Sequence, residues 1–312
     1  MGGLRSDLGA GAIPRWGACT AFILLWSCLS QRSPHIPDFS GQNAFEFLRE
    51  QCALGPRYPG SEGHEAARAY LISAMGNCAL TVMEQRFGHR DAKRDTSFML
   101  TNIVASFAPE KEQRLLLCAH WDTRPWADRS PDPQDLDRPI LGANDGASGV
   151  AVLLEVARVL KTVPPPRGVD IVLFDGEDSG QDGEMEGWCL GSRRFAESKR
   201  GVYRPVHAVL LDMIGDKDLD IHIEGHSQVH ASRTVTKLWQ IAQKLNMGAF
   251  HNEVKHTVYD DHVPLIENGI PCADLIDFDY PYWHTLEDTP DKCSPESLEI
   301  VGQVIMHLVY GD

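Results

Sequence analysis

The chain has 312 residues, enough for one large α/β domain or two modest ones. Hydrophobic residues make up 43% and charged residues 23%, ordinary proportions for a soluble globular protein. The formal charge of −15 argues against nucleic acid and anionic membrane surfaces as partners, although carboxylates gathered around a bound cation contribute to the same excess.

The N-terminus carries the marks of an export signal. Arg5 and Arg15 precede a short apolar run, Ala21 to Trp26, followed by Ser27-Cys28. The run falls short of the about 20 apolar residues that cross a bilayer, but it suits the apolar part of a signal peptide. Leu25-Trp26-Ser27-Cys28 is similar to a bacterial lipobox, with Trp26 an awkward fit. Residues 1–35 are therefore expected to be a leader and linker. The protein is expected to be exported: periplasmic or lipid-anchored at Cys28 in a bacterium, secreted otherwise, with an uncleaved anchor as the rival. Of eight cysteines, Cys19 and Cys28 fall in this leader. The other six, Cys52, Cys78, Cys118, Cys189, Cys272 and Cys293, show neither CxxC pairs nor dense spacing, which argues against a disulfide scaffold or a cysteine zinc site.

In chain order, Gly41 to Leu54 and Glu62 to Asn77 carry apolar residues at helical spacing, with Ser61 placed to cap the second. A turn-rich loop, Gly55 to Gly60, separates them. Leu80 to Phe87 and Asn102 to Phe107 alternate as half-buried strands. Arg114 to Cys118, Val169 to Phe174, Ala208 to Leu211 and Cys272 to Ile276 read as buried central strands. Helical patterns at Ser148 to Leu160, Ser192 to Glu197, Ala231 to Leu245 and Pro295 to Val309 separate them. This alternation predicts a single α/β domain, residues 36–312, with a mixed, mostly parallel twisted sheet and helices on both faces. The run Pro164-Pro165-Pro166 is a stiff connector within it.

Acidic and histidine residues follow the central strands: His120 and Asp122, then Asp175-Gly176-Glu177-Asp178, then Asp212. Ligands of open α/β sheets bind at the carboxyl ends of strands. Negative groups crowded there repel unless a cation or shared protons intervene. Each one alone has an ordinary reading as a turn residue or helix cap; their joint placement does not. Gly142 to Gly149 adds Asp145 at a helix start in a small-residue loop that matches neither GK[ST] nor GxGxxG. Tyr282-Trp283-His284-Thr285 adds a late histidine.

His120-Trp121-Asp122-Thr123-Arg124, Asn144 to Gly149, Asp175 to Asp178, Leu211 to Gly215, Asp260 to Pro264 and Trp283-His284-Thr285, in this order, resemble the zinc aminopeptidase clan that includes the glutaminyl cyclases. The likeness covers roughly Phe45 to Val309. For an aminopeptidase it implies two zinc ions on His120, Asp145, Asp178, Asp212 and His284, with Glu177 as base. For a cyclase it implies one zinc on Asp145, Asp178 and His284, Glu177 as acid and base, and Asp212 and Asp260 as a hydrogen-bonded carboxylate network. Three features favour the cyclase branch. Asp260 stands where aminopeptidases commonly have Ser; Trp188 and Trp283 resemble the indole walls of cyclase pockets; and Trp121 to Asp128 resembles the bacterial cyclase loop, adding Trp126 as a third wall. Asp178 departs from the Glu usual in animal cyclases, and their disulfide has no match.

The resemblance thus implies a zinc-dependent glutaminyl-peptide cyclotransferase that converts N-terminal Gln to pyroglutamate and releases ammonia. A two-zinc aminopeptidase is the alternative and a non-catalytic binding ectodomain a minor one. Peptide or protein N-termini are the expected substrates, no membrane contact beyond a lipid on Cys28 is expected, and the chain is expected to be a monomer. His222, His226, His230, His251 and His256 lie in polar stretches and are expected at the surface; His262 is expected to support the site.

Overall fold

The computed structural model describes residues 35–91, 95–181 and 183–311. The expected leader and Cys28 lie outside them. Two helices begin the described chain. α1 (Gly41–Ala53) starts where Ser40 Oγ accepts the Asn43 N–H. α2 (Glu62–Gly76) starts where Ser61 Oγ accepts the His64 N–H, the cap read from sequence. A long hairpin follows, β1 (Thr81–Asp91) and β2 (Thr96–Phe107). Both strands run further than their apolar alternation suggested, because antiparallel pairing from Thr81↔Ser106 to Asp91↔Thr96 holds residues whose side chains face water.

Next come β3 (Arg114–His120), α3 (Ala147–Thr162), β4 (Gly168–Phe174), α4 (Leu190–Lys199) and β5 (His207–Asp212). The C-terminal part adds β6 (Ile221–Ile223), α5 (Gly225–His230), α6 (Ser232–Lys244), β7 (Phe250–Val254), α7 (His262–Glu267), β8 (Cys272–Ile276) and α8 (Pro295–Tyr310). β6, α5, β7 and α7 went unread in the sequence, being too short to show a period.

The main sheet has six strands in the order β1-β2-β4-β3-β5-β8. β4, β3, β5 and β8 run parallel, and the β1–β2 hairpin joins β4 antiparallel along one edge. This is the mixed, mostly parallel sheet expected from the alternation of elements. β6 and β7 form a separate two-stranded parallel ribbon.

Period-two alternation divides each buried strand between two cores. Leu115, Leu117, Val169, Ile171, Leu173, Val209 and Leu211 pack in the larger one with residues of α1, α2, α3, α6 and α8. Leu116, Cys118, Val172, Phe174, Ala208 and Leu210 pack in the smaller one with α4 and α7 residues such as Phe195 and Leu265. Gly149 lets α3 lie directly on β5, since a Cβ there would stand 2.1 Å from the Leu211 carbonyl oxygen. Because β3, β4, β5 and β8 are parallel, all four release the chain at the same rim. No helix among the described residues is long and apolar enough to cross a membrane.

Candidate active site

The acids and histidines after the strands separate into two groups once folded. Some hold the backbone. Asp175, directly after β4, accepts from His64 Nε2 at 2.9 Å and from the Thr101 N–H at 2.6 Å, so its carboxylate is used beneath the rim. Gly176, at φ +78°, then turns the chain. Asp122 accepts the N–H groups of Glu177 and Asp178 at 3.0 and 3.2 Å, fixing the loop that carries both. Asp288 does the same for the other half, accepting from the N–H groups of Asn144 and Asp145 and from Tyr280 Oη. Asp145 is therefore free of a capping role: α3 is capped at Gly146, with no side-chain bond. Arg57, fully buried, stitches the same loops through the carbonyls of Trp121, Leu141 and Gly142.

The other group converges. His284 Nε2 lies 3.1 Å from Asp178 Oδ1 and 3.6 Å from Asp145 Oδ2. His120 Nε2 lies 3.2 Å from Asp145 Oδ1 and 3.1 Å from Asp212 Oδ1. Donor atoms of Asp145, Asp178 and His284 all fall within 4.8 Å of one another, and those of His120, Asp145 and Asp212 do likewise. Asp145 faces both sets, one oxygen to each.

These residues fit a zinc ion. Asp145 Oδ2 and Asp178 Oδ2 are buried yet accept no hydrogen bond, an arrangement that costs free energy unless a cation completes it. Burial and then the Asp178 charge push the Asp145 carboxyl up to about 7. Against its own burial, Asp178 is held at about 2 by the charge and hydrogen bond of His284. Behind the cluster, His284 Nδ1 faces Asp128 Oδ1 at 3.1 Å, the carboxylate–histidine support common to metal ligands. Arg124 orients Asp128 in turn, its Nε 3.0 Å from each carboxylate oxygen.

A cavity of about 420 Å³ opens on this rim, with Glu177, Asp212 and Asp260 in its lining. Burial first, then the Asp178 charge, raises the Glu177 carboxyl well above the usual range. Burial and the charges of Asp212 and Asp261 do the same for Asp260. The walls are Trp188, Trp283, Phe278, Met185, Val258 and Ile276. Trp188 lies parallel to the His284 ring at 6.3 Å, and Trp283 packs on it at 4.0 Å. Three non-glycine residues with positive φ stand here, Cys189 (55°), Met213 (46°) and His284 (54°), so local strain is concentrated at the site.

Two sequence expectations need correction. Trp126 is not part of the cavity wall: it is buried against one side of the Arg124 guanidinium, 5.2 Å from its ring centroid, while Trp188 lies 4.6 Å from the same group. Its position follows from Arg124, whose buried charge draws aromatic faces. His222 is not a surface residue but is buried at 8% exposure, stacked on His251. Asp128 and Asp288 were not picked out in the sequence. Only their carboxylate chemistry was visible there, not the histidine or backbone N–H groups they meet.

Residues 102–309 match the model of Peptidase family M28, and the chain belongs to that family. Among solved structures it is similar to a Zn-dependent exopeptidase from Parabacteroides distasonis, at 34% identity and TM-score 0.86 over 89% of this chain and all of that one. The glutaminyl cyclase of Tannerella forsythia aligns at 36% identity and TM-score 0.84 over 88% of this chain and all of the other. The glutaminyl-peptide cyclotransferase of Bothrops jararaca is 25% identical across 81% of this chain and 76% of its own length. The relatives thus include both branches that the sequence motifs resemble.

Proposed function

We propose that this enzyme is a glutaminyl-peptide cyclotransferase, closing the N-terminal Gln of a peptide to pyroglutamate with loss of ammonia. The observation that carries the reading is the trio Glu177, Asp212 and Asp260 in the lining of a small cavity walled by Trp188, Trp283 and Phe278. Its apolar walls suit an uncharged side chain, and three carboxylates in it suit a reaction that relocates protons.

Asp145, Asp178 and His284 hold one zinc ion in this reading, His284 being oriented by Asp128. When bound, the zinc acts as a Lewis acid on the substrate's side-chain carbonyl oxygen. Glu177 takes a proton from the substrate's α-amine as that nitrogen bonds to the side-chain carbonyl carbon. It returns the proton to the departing amide nitrogen, which leaves as ammonia. Burial and the neighbouring Asp178 charge raise the Glu177 carboxyl, the direction that favours holding a proton between the two transfers. Asp260 and Asp212, both in the cavity lining, accept from the amide nitrogen and hold it before it leaves. Because the attack is intramolecular, the site needs only to fold the substrate and stabilise developing charge.

The convergence of His120, Asp145 and Asp212 favours a second reading, an aminopeptidase with two zinc ions and Glu177 activating water. Incubation with a Gln-initiated peptide separates the two by mass. Loss of ammonia with every residue retained supports the cyclase; release of a free amino acid overturns it. A leader at residues 1–35 and export of the 36–312 domain complete the proposal. They are tested by sequencing the N-terminus of the mature protein.

A further inference from the structure

Cys189 directly follows the wall residue Trp188 and is fully buried. It stands at φ +55° and ψ +37°, a left-handed conformation that a residue with a Cβ enters at a cost. Two backbone bonds hold it there. The Cys189 N–H donates to the Glu177 carbonyl at 3.0 Å, and the Leu190 N–H donates to the Gly176 carbonyl at 3.1 Å. The start of α4 is thereby laid against the acidic loop after β4. In this position the side chain of Cys189 reaches the head of Glu177, with Sγ 3.4 Å from Oε1. The sulfur and one carboxylate oxygen each of Glu177 and Asp260 lie within 4.8 Å of one another.

A thiol in such company is a donor. Burial, then the charges of Glu177, Asp261 and Asp260, push its pKa well above the usual range, so the sulfur keeps its proton. Among the described residues the Glu177 carboxylate has no other hydrogen-bond partner. Oε1 is taken by the thiol, and Oε2 is left open on the cavity that Glu177 lines. A Glu head on three rotatable bonds loses conformational freedom when one oxygen is bonded, and a hydrogen bond to an ionised acceptor is among the stronger kinds.

We infer that Cys189 is a positioning residue for the proton carrier: its S–H holds Oε1 of Glu177 and so presents Oε2, the oxygen that picks up and delivers the proton. The thiol keeps its own hydrogen throughout and does not touch the substrate. The inference rests on Glu177 as the proton carrier, a role it has in both the cyclase and the aminopeptidase readings.

The test is a double-mutant cycle of Cys189→Ala and Glu177→Gln in the full chain with zinc present. Alanine keeps both backbone bonds and removes only the sulfur. Cys189→Ala should lower kcat about 10–100-fold, the size of loss that misplacing a reacting group produces, with KM and zinc content unchanged. In the Glu177→Gln background the same substitution should alter residual turnover by less than about threefold, because the carboxylate it positions is gone. Equal losses in both backgrounds, or wild-type kcat in Cys189→Ala, overturn the inference. Retained turnover in Glu177→Gln alone overturns the role of Glu177 and the inference with it, so the two failures are told apart. Infrared difference spectra need no alanine variant. The S–H stretch of Cys189 should shift on Glu177→Gln, and an identical S–H region in the two proteins overturns the contact.

Discussion

Replacing Asp128 with Asn separates the charge behind His284 from its shape. The amide oxygen can still accept from His284 Nδ1, so ring orientation survives, while the negative charge facing Nδ1 at 3.1 Å is lost. Loss of such a supporting carboxylate typically lowers metal affinity 10–100-fold, equivalent to about 1.4–2.7 kcal/mol. Asp128→Asn also removes the charge partner of the fully buried Arg124. Arg124 keeps its bonds to the carbonyls of Asp178 and Gly180 at 3.0 and 3.1 Å, and Asp128 is 26% exposed. Stability should therefore fall by about 3 kcal/mol, the low end for a broken buried pair. Zinc affinity is read by competition with a chromogenic chelator, and stability is read by calorimetry. Wild-type zinc affinity in a folded Asp128→Asn protein refutes the assignment of His284 as a ligand supported by Asp128.

Glu177→Gln should cut turnover about 10²–10⁴-fold while leaving zinc bound, measured by mass-resolved peptide turnover beside elemental analysis; retained turnover removes Glu177 from the proton-transfer role. Gly149→Ala should destabilise the fold by ~1–3 kcal/mol, because its Cβ meets the Leu211 carbonyl at 2.1 Å; urea denaturation checks this, and an unchanged midpoint argues against that close approach. Burial, with Arg233, Arg167 and Lys237 nearby, pushes His207 down to about 4. Between about pH 6.5 and 4 the unfolded chain then binds a proton that the folded chain refuses, so this group lowers stability as pH falls through that window. Screening at partly exposed cations limits the effect to ~1–2 kcal/mol. His207→Gln should lose less stability than wild type between pH 7 and 4.5 in denaturant titrations; an identical loss refutes the assignment.

The sequence by itself determined the sheet and its helices, because buried parallel strands and amphipathic helices write their periods into consecutive residues, as at Leu115 to Leu117 or Pro295 to Tyr310. It also placed acids and histidines after the strands, and parallel strands must deliver their carboxyl ends to one rim. Which of those acids meet, and which hold backbone, is a matter of residues far apart in the chain, and only the tertiary structure decided it. Asp175 and Asp122 look like Asp178 and Asp212 in one dimension, yet the first two are consumed by N–H groups and a histidine. The partnership of Asp128 with His284 spans more than 150 positions, and that of Asp288 with Asp145 more than 140. The fate of Trp126 turned on a guanidinium buried beside it. Periodicity is a short-range signal; convergence is a long-range one, and it is convergence that makes a site.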